Sequence, residues 1–175
     1  MPFSNEEEAI FKLGPGTPSG ELFRRYWLPV ETSANLGGGR GPVVPSAKNP
    51  LPLKVLGEYL VLYRDATGQP GLLAEHCSHR GTSLRYGRVE DNGLRCLYHG
   101  WLYDIEGKLV GAPYMKEAEG FDPKNCRLDP VNIDIWRGWV FVNLGPDCEP
   151  LEDFVADFES DFGSGFDIDD DPTDE

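Results

Sequence analysis

Four side chains with metal-ligating chemistry stand in two short runs: Cys77-Ser78-His79-Arg80-Gly81, and, after sixteen intervening residues from His79, Cys96-Leu97-Tyr98-His99-Gly100-Trp101. Each run supplies one thiol and one imidazole. The short spacing lets two hairpin-like loops reach one shared site from neighbouring positions, which ties the chain to short strands and tight turns. Gly81, Gly87 and Gly100 allow the backbone such loops require. Mixed donors of this kind suit two groups. One is a two-iron, two-sulfide cluster with thiolates on one iron and imidazoles on the other. The other is a four-coordinate structural zinc ion. Zinc sites more often combine C-x-x-C with H-x-x-x-H, so C-x-H followed by C-x-x-H favours the cluster. On that reading Cys77 and Cys96 hold the buried iron, and His79 and His99 the outer one.

The rest of the sequence reads the same way. With 21 Gly and 15 Pro among 175 residues, it fits a turn-rich, mostly β protein of one domain with an appendage. Lys54–Leu56 and Tyr59–Arg64 flank Gly57-Glu58, a hairpin signal. Asp65 to Gly68 makes the next turn and Gly71–Glu75 the next strand. Asp91-Asn92-Gly93 turns into Leu94–Leu97. Trp101–Ile105 and Lys108–Val110 bracket Glu106-Gly107, and Val131–Ile135 and Trp139–Asn143 bracket Arg137-Gly138. Leu36 to Pro52 reads as a loop. Thr17-Pro18 starts a short helix over Ser19 to Tyr26, with Thr as N-cap and Pro at the first position. Trp27, Trp136, Trp139 and Phe141 are expected in the core. The organisation expected is an irregular lead-in over 1–16, one domain over 17–148, and an acidic, partly disordered tail over 149–175. Within that tail Leu151, Phe154, Val155 and Phe158 have the spacing of a short docked helix.

The net charge is −14, but eleven acids and no Lys or Arg lie after Pro150. The remainder is only mildly acidic. Without clustered Lys and Arg, nucleic acid is not an expected partner. The acidic start has no basic segment before an apolar stretch, so no secretory signal is expected. No apolar run reaches membrane-spanning length, and a cytoplasmic location is the expectation. Cys126 and Cys148 have no His nearby and read as ordinary thiols. His76 reads as a loop residue, and Asp104 as a turn carboxylate.

The run CSHRGTSLRYGRVEDNGLRCLYHGWLYDIEG, Cys77 to Gly107, resembles the Rieske motif of ring-hydroxylating oxygenases. GTPSGELFRRYWLPVETSANL, Gly16 to Leu36, resembles the start of the large subunit in the phthalate dioxygenase-like branch. The resemblance implies an all-β, Rieske-type fold of stacked antiparallel sheets, with an inserted cluster-binding subdomain and a short N-terminal helix. It implies one [2Fe–2S] cluster on Cys77, His79, Cys96 and His99, with Arg80, Tyr98 and Trp101 beside it. It implies one-electron transfer from a reductase to a non-haem iron oxygenase-type acceptor, in a chain that can oligomerise. The alternatives are the Rieske part of a split or truncated oxygenase and, from another class, a structural zinc module. The mononuclear iron site of such oxygenases needs two His and a carboxylate. Only His76 is left for it here, so no catalytic residue is assigned and the chain reads as an electron-carrying oxidoreductase component. Respiratory Rieske proteins carry a loop disulfide where this sequence has Thr82 and Tyr98, and a Ser where it has Trp101. Fewer hydrogen bonds to sulfur imply a low potential, about −150 mV.

Overall fold

The computed structural model describes Ser4 and residues 10–37, 50–115 and 118–162, with the backbone alone over 157–162. In chain order its elements are α1 (Pro18–Phe23), β1 (Leu28–Thr32), β2 (Leu51–Val55), β3 (Glu58–Arg64), β4 (Pro70–Ala74), β5 (Arg88–Glu90), β6 (Gly93–Arg95), β7 (Leu102–Tyr103), β8 (Leu109–Gly111), β9 (Asn132–Trp136), β10 (Trp139–Asn143) and α2 (Leu151–Phe162). The chain divides into two units. The first comprises Met1–Ser33, Lys54–Glu58 and Asn132–Glu175, and the second Ala34–Leu53 and Tyr59–Val131. The expected mostly β fold with antiparallel sheets is what forms.

In the first unit, α1 starts as its sequence dictates. Thr17 is extended, its Oγ1 accepts from Gly20 N at 3.2 Å, and Pro18 opens the helix. The antiparallel sheet runs β1–β10–β9, with Val140 and Val142 fully buried. Arg137 and Gly138 both have positive φ, as a two-residue hairpin of the primed type requires. Leu151 and Val155 of α2 pack with Trp27 and Phe141, and Trp27 Nε1 donates to the Glu149 carbonyl at 2.9 Å. The helical spacing seen in the sequence is therefore used. Trp139 is not core: it is the first residue of β10 and is 37% exposed, while Val140 to Asn143, Phe141 on its own face included, are buried, so it stands at the strand end that leaves the core. The acidic run from Asp167 lies outside the described residues, as does most of the expected loop, 38–49.

The second unit holds the sheet β5–β6–β7–β8 and most of the sheet β2–β3–β4. β3 pairs antiparallel with β4, and β5 to β8 are antiparallel throughout. The expected turn at Gly57-Glu58 sits one residue earlier. Leu56 and Gly57 carry the positive φ values and Glu58 already begins β3. Cys77, Cys96 and Trp101 share one core with Val61, Tyr63, Leu73, Leu84, Leu94 and Tyr103. The packing that stabilises this unit thus also seats the two thiols.

Candidate metal centre

The two loops that carry the four donors share one backbone frame. In the first, Cys77 N donates to the Thr82 carbonyl at 2.9 Å and Gly81 N to the Cys77 carbonyl at 2.8 Å. In the second, Cys96 N donates to the Trp101 carbonyl at 2.8 Å and Gly100 N to the Cys96 carbonyl at 3.0 Å. Gly81 and Gly100 occupy the same left-handed position, φ 68° and 73°. Within equal frames the imidazole sits two residues after Cys77 but three after Cys96, which is the physical content of C-x-H against C-x-x-H. Gly87 has negative φ. It is needed for a different reason: a Cβ there would lie 2.8 Å from the Leu84 carbonyl and 2.9 Å from that of Arg95.

The donors sort into two pairs. Cys77 and Cys96 are 3% and 2% exposed, whereas His79 is partly exposed and His99 exposed. The two imidazoles meet at 4.6 Å between ring centroids. Among the described residues no three His, Cys, Asp or Glu side chains converge on one ion position. Burial pushes the Cys96 thiol pKa up, the Tyr98 N–H opposes this, and the neighbouring Cys77 adds to it. Burial, then the charges of His99 and Arg80, hold the His79 imidazole below its ordinary value. Soft thiols inside with amide donors at sulfur, and imidazoles outside, are the donor chemistry of a mixed-ligated iron–sulfur cluster.

Trp101 is buried and lies flat on His79, ring centroids 4.4 Å apart and planes 8° apart, with Phe121 edge-on behind it at 5.8 Å. Tyr98 is 62% exposed and tilts over His99 at 3.8 Å. Arg80 is exposed. All four cysteines are free thiols, with Cys126 and Cys148 half-buried. His76 is exposed and forms an isolated bridge with Ser83. Asp104 Oδ1 accepts from Glu106 N at 3.0 Å and Lys108 N at 2.8 Å, so it caps a turn.

Residue-level reading of the sequence missed three groups. The buried Tyr103 hydroxyl lies 3.1 Å from Cys77 Sγ and 2.9 Å from Ser78 Oγ, and Ser78 Oγ donates to the Cys126 carbonyl at 2.6 Å. Burial, then the Cys77 contact, raise the Tyr103 pKa. At the base of the first loop, Ser83 Oγ donates to the buried Glu75 at 2.5 Å. Beside the second, Arg95 grips both oxygens of Glu90 at 2.6 Å. The only sequence signal for Tyr103 is its place two residues beyond Trp101, on the strand leaving the second loop.

Residues 27–131 match the family described as Rieske [2Fe-2S] domain. The phenoxybenzoate dioxygenase subunit alpha of Ectopseudomonas oleovorans is 40% identical over 151 residues, 84% of this chain and 34% of that protein. The phthalate 4,5-dioxygenase oxygenase subunit of Pseudomonas putida is 35% identical over 150 residues, 86% of this chain and 32% of that protein. The chain thus spans about a third of the length of these curated relatives. Among solved structures, Pseudomonas putida CBB5 NdmA is similar at TM-score 0.62 and 28% identity, over 74% of this chain and 38% of that one. No helix among the described residues is long and apolar enough to cross a membrane. The chain belongs to the Rieske [2Fe–2S] domain family, whose domain binds a [2Fe–2S] cluster, and its matched relatives include oxygenase subunits.

Proposed function

We propose that Cys77, His79, Cys96 and His99 hold the cluster, and that the chain serves as a one-electron redox unit between a reductase and a mononuclear non-haem iron acceptor. The observation that carries this reading is the sorting of the donors on two equal loops, with thiols buried in the core and imidazoles toward solvent. When bound, the cluster supplies one reversible electron. The residues around it have distinct tasks. Cys77 and Cys96 keep the inner side dry. Trp101 covers the face of His79 against water, and Tyr98 covers part of His99. Arg80, next to His79, presents a cation that steers an acidic partner or partner segment toward the imidazole edge.

A second reading is favoured by one observation: the matched relatives are oxygenase subunits about three times as long as the matched stretch. In that reading this sequence is the redox part of an oxygenase whose catalytic iron is bound elsewhere. Within these 175 residues His76 is the one His beyond the four donors. A triad of two His and a carboxylate cannot be assembled from it.

The test is anaerobic reductive titration of iron- and sulfide-reconstituted protein, monitored by visible absorption, and a separate aerobic assay of the reduced protein with an aromatic substrate. Uptake of one electron per chain is expected, with no consumption of oxygen coupled to oxidation of an aromatic substrate. No uptake, or substrate oxidation by the chain alone, contradicts the proposal.

A further inference from the structure

We infer that Arg95 is a positioning residue that sets both imidazoles of the centre through one hydrogen bond to the Gly100 carbonyl. This rests on the assignment of His79 and His99 as ligands. The β5–β6 hairpin pairs Arg88 with Arg95 and Glu90 with Gly93, which brings two guanidinium groups and one carboxylate together beside the second loop. Arg95 uses three nitrogens: Nε donates to Glu90 Oε1 at 2.6 Å, Nη2 to Glu90 Oε2 at 2.6 Å, and Nη1 to the Gly100 carbonyl at 2.6 Å. The bidentate grip fixes the plane of the guanidinium, so the third bond has a fixed direction.

The bonded peptide is well placed to control the site. The loop frame employs the Gly100 N–H and the Trp101 carbonyl, and leaves the Gly100 carbonyl to Arg95. On another side, Pro113 Cγ lies 3.2 Å from where a Gly100 Cβ would be. Gly100 stands between His99 and Trp101. A shift of its peptide moves His99 through the chain. It also moves His79 through the flat contact with Trp101 at 4.4 Å. Among the described residues the first loop has no equivalent brace at Gly81, which is exposed and has nothing within 4 Å of a Cβ position. One guanidinium on the second loop therefore orients a ligand on each.

Arg88 separates this role from simple hairpin stabilisation. Its Nη2 also donates to Glu90 Oε1, at 2.5 Å, and among the described residues its side-chain hydrogen bonds go to Glu90 alone. The experiment uses the full chain, reconstituted with iron and sulfide, in wild-type form and as Arg95→Gln, Arg95→Lys, Glu90→Gln and Arg88→Gln. It reads the g values of the dithionite-reduced protein and the rate of iron loss to a chelator. Arg95→Gln is expected to shift the g values and speed iron loss about tenfold or more, the usual effect of removing an outer partner of a metal ligand. Arg95→Lys should not restore either, since an ammonium cannot make the forked contact and the third bond together. Arg88→Gln should match wild type in both. An Arg95→Gln protein with wild-type g values and an iron-loss rate equal to that of Arg88→Gln overturns the inference. If Arg95→Gln does not fold, Glu90→Gln decides. It keeps the Gly100 bond but loosens the grip, and wild-type behaviour in both readouts refutes the role. A wild-type protein that takes up iron and sulfide but shows no Rieske signal refutes the ligand assignment instead, and this inference falls with it.

Discussion

The hydroxyl of Tyr103 stands 3.1 Å from the sulfur of Cys77 and 2.9 Å from Ser78 Oγ. Ser78 commits its own proton to the Cys126 carbonyl at 2.6 Å. One phenolic proton is then shared between a sulfur and a hydroxyl oxygen. A hydrogen bond to a ligand sulfur favours the more negative, reduced state. Tyr103→Phe is expected to lower the midpoint potential by on the order of 50 mV, a difference of about 1 kcal/mol between redox states. Ser78→Ala frees the proton for sulfur and should raise the potential, but only while Tyr103 is present. Redox titration of the two single variants and the double variant checks this. Additive effects contradict the shared-proton account.

The wild-type potential itself should lie near the low end of the Rieske range, about −150 mV. Trp101 has no hydroxyl to offer where respiratory Rieske proteins have a Ser, and Thr82 and Tyr98 cannot form a disulfide. A spectroelectrochemical value above about +100 mV contradicts this.

Glu90 provides a pH test in the metal-free protein. Hydrogen bonds from Arg95, then Arg88, pull its carboxyl from 4.5 down to about 2. Because the folded value is the lower one, the stability Glu90 contributes is complete above about pH 5 and is lost as pH falls toward 2. Denaturant unfolding of wild type and Glu90→Gln should show a gap that is constant above pH 5 and closes between 4.5 and about 2. A gap unchanged across that window contradicts the pairing.

Two glycines should respond very differently to Ala. Gly93 has φ 143°, and a Cβ would lie 1.9 Å from the Tyr103 carbonyl across the β6–β7 pair. Gly93→Ala is expected to cost at least about 3 kcal/mol or prevent folding of the second unit. Gly81 has a left-handed φ but open space, so Gly81→Ala should cost only about 1–2 kcal/mol. Chemical denaturation of both metal-free variants makes the comparison, and equal losses refute it.

These outcomes depend unequally on what a reading of the chain alone can find. The two donor runs were readable because each is local, and the frame Cys–Gly–hydrogen-bonded carbonyl spans only six residues. Thr17-Pro18 and Arg137-Gly138 were readable for the same reason: caps and primed turns are set by nearest neighbours. The turn at Leu56-Gly57 was misplaced by one residue because Leu at positive φ has no sequence signature. Trp139 was misassigned because hydrophobicity does not say which end of a strand leaves the core. Tyr103 and Cys77 are 26 residues apart and their contact is made by packing in the shared core. Arg95 reads as a solvated charge until β5 pairs with β6 and brings Glu90 alongside.

The decisive measurement is iron, zinc and sulfide analysis of the purified chain together with electron paramagnetic resonance after dithionite reduction, in wild type and His99→Ala. The expected result is about two irons and two sulfides per chain, a Rieske signal with average g below 2, and loss of that signal in His99→Ala. One zinc without sulfide, or a Rieske signal retained in His99→Ala, would show that the four residues do not hold the cluster as assigned.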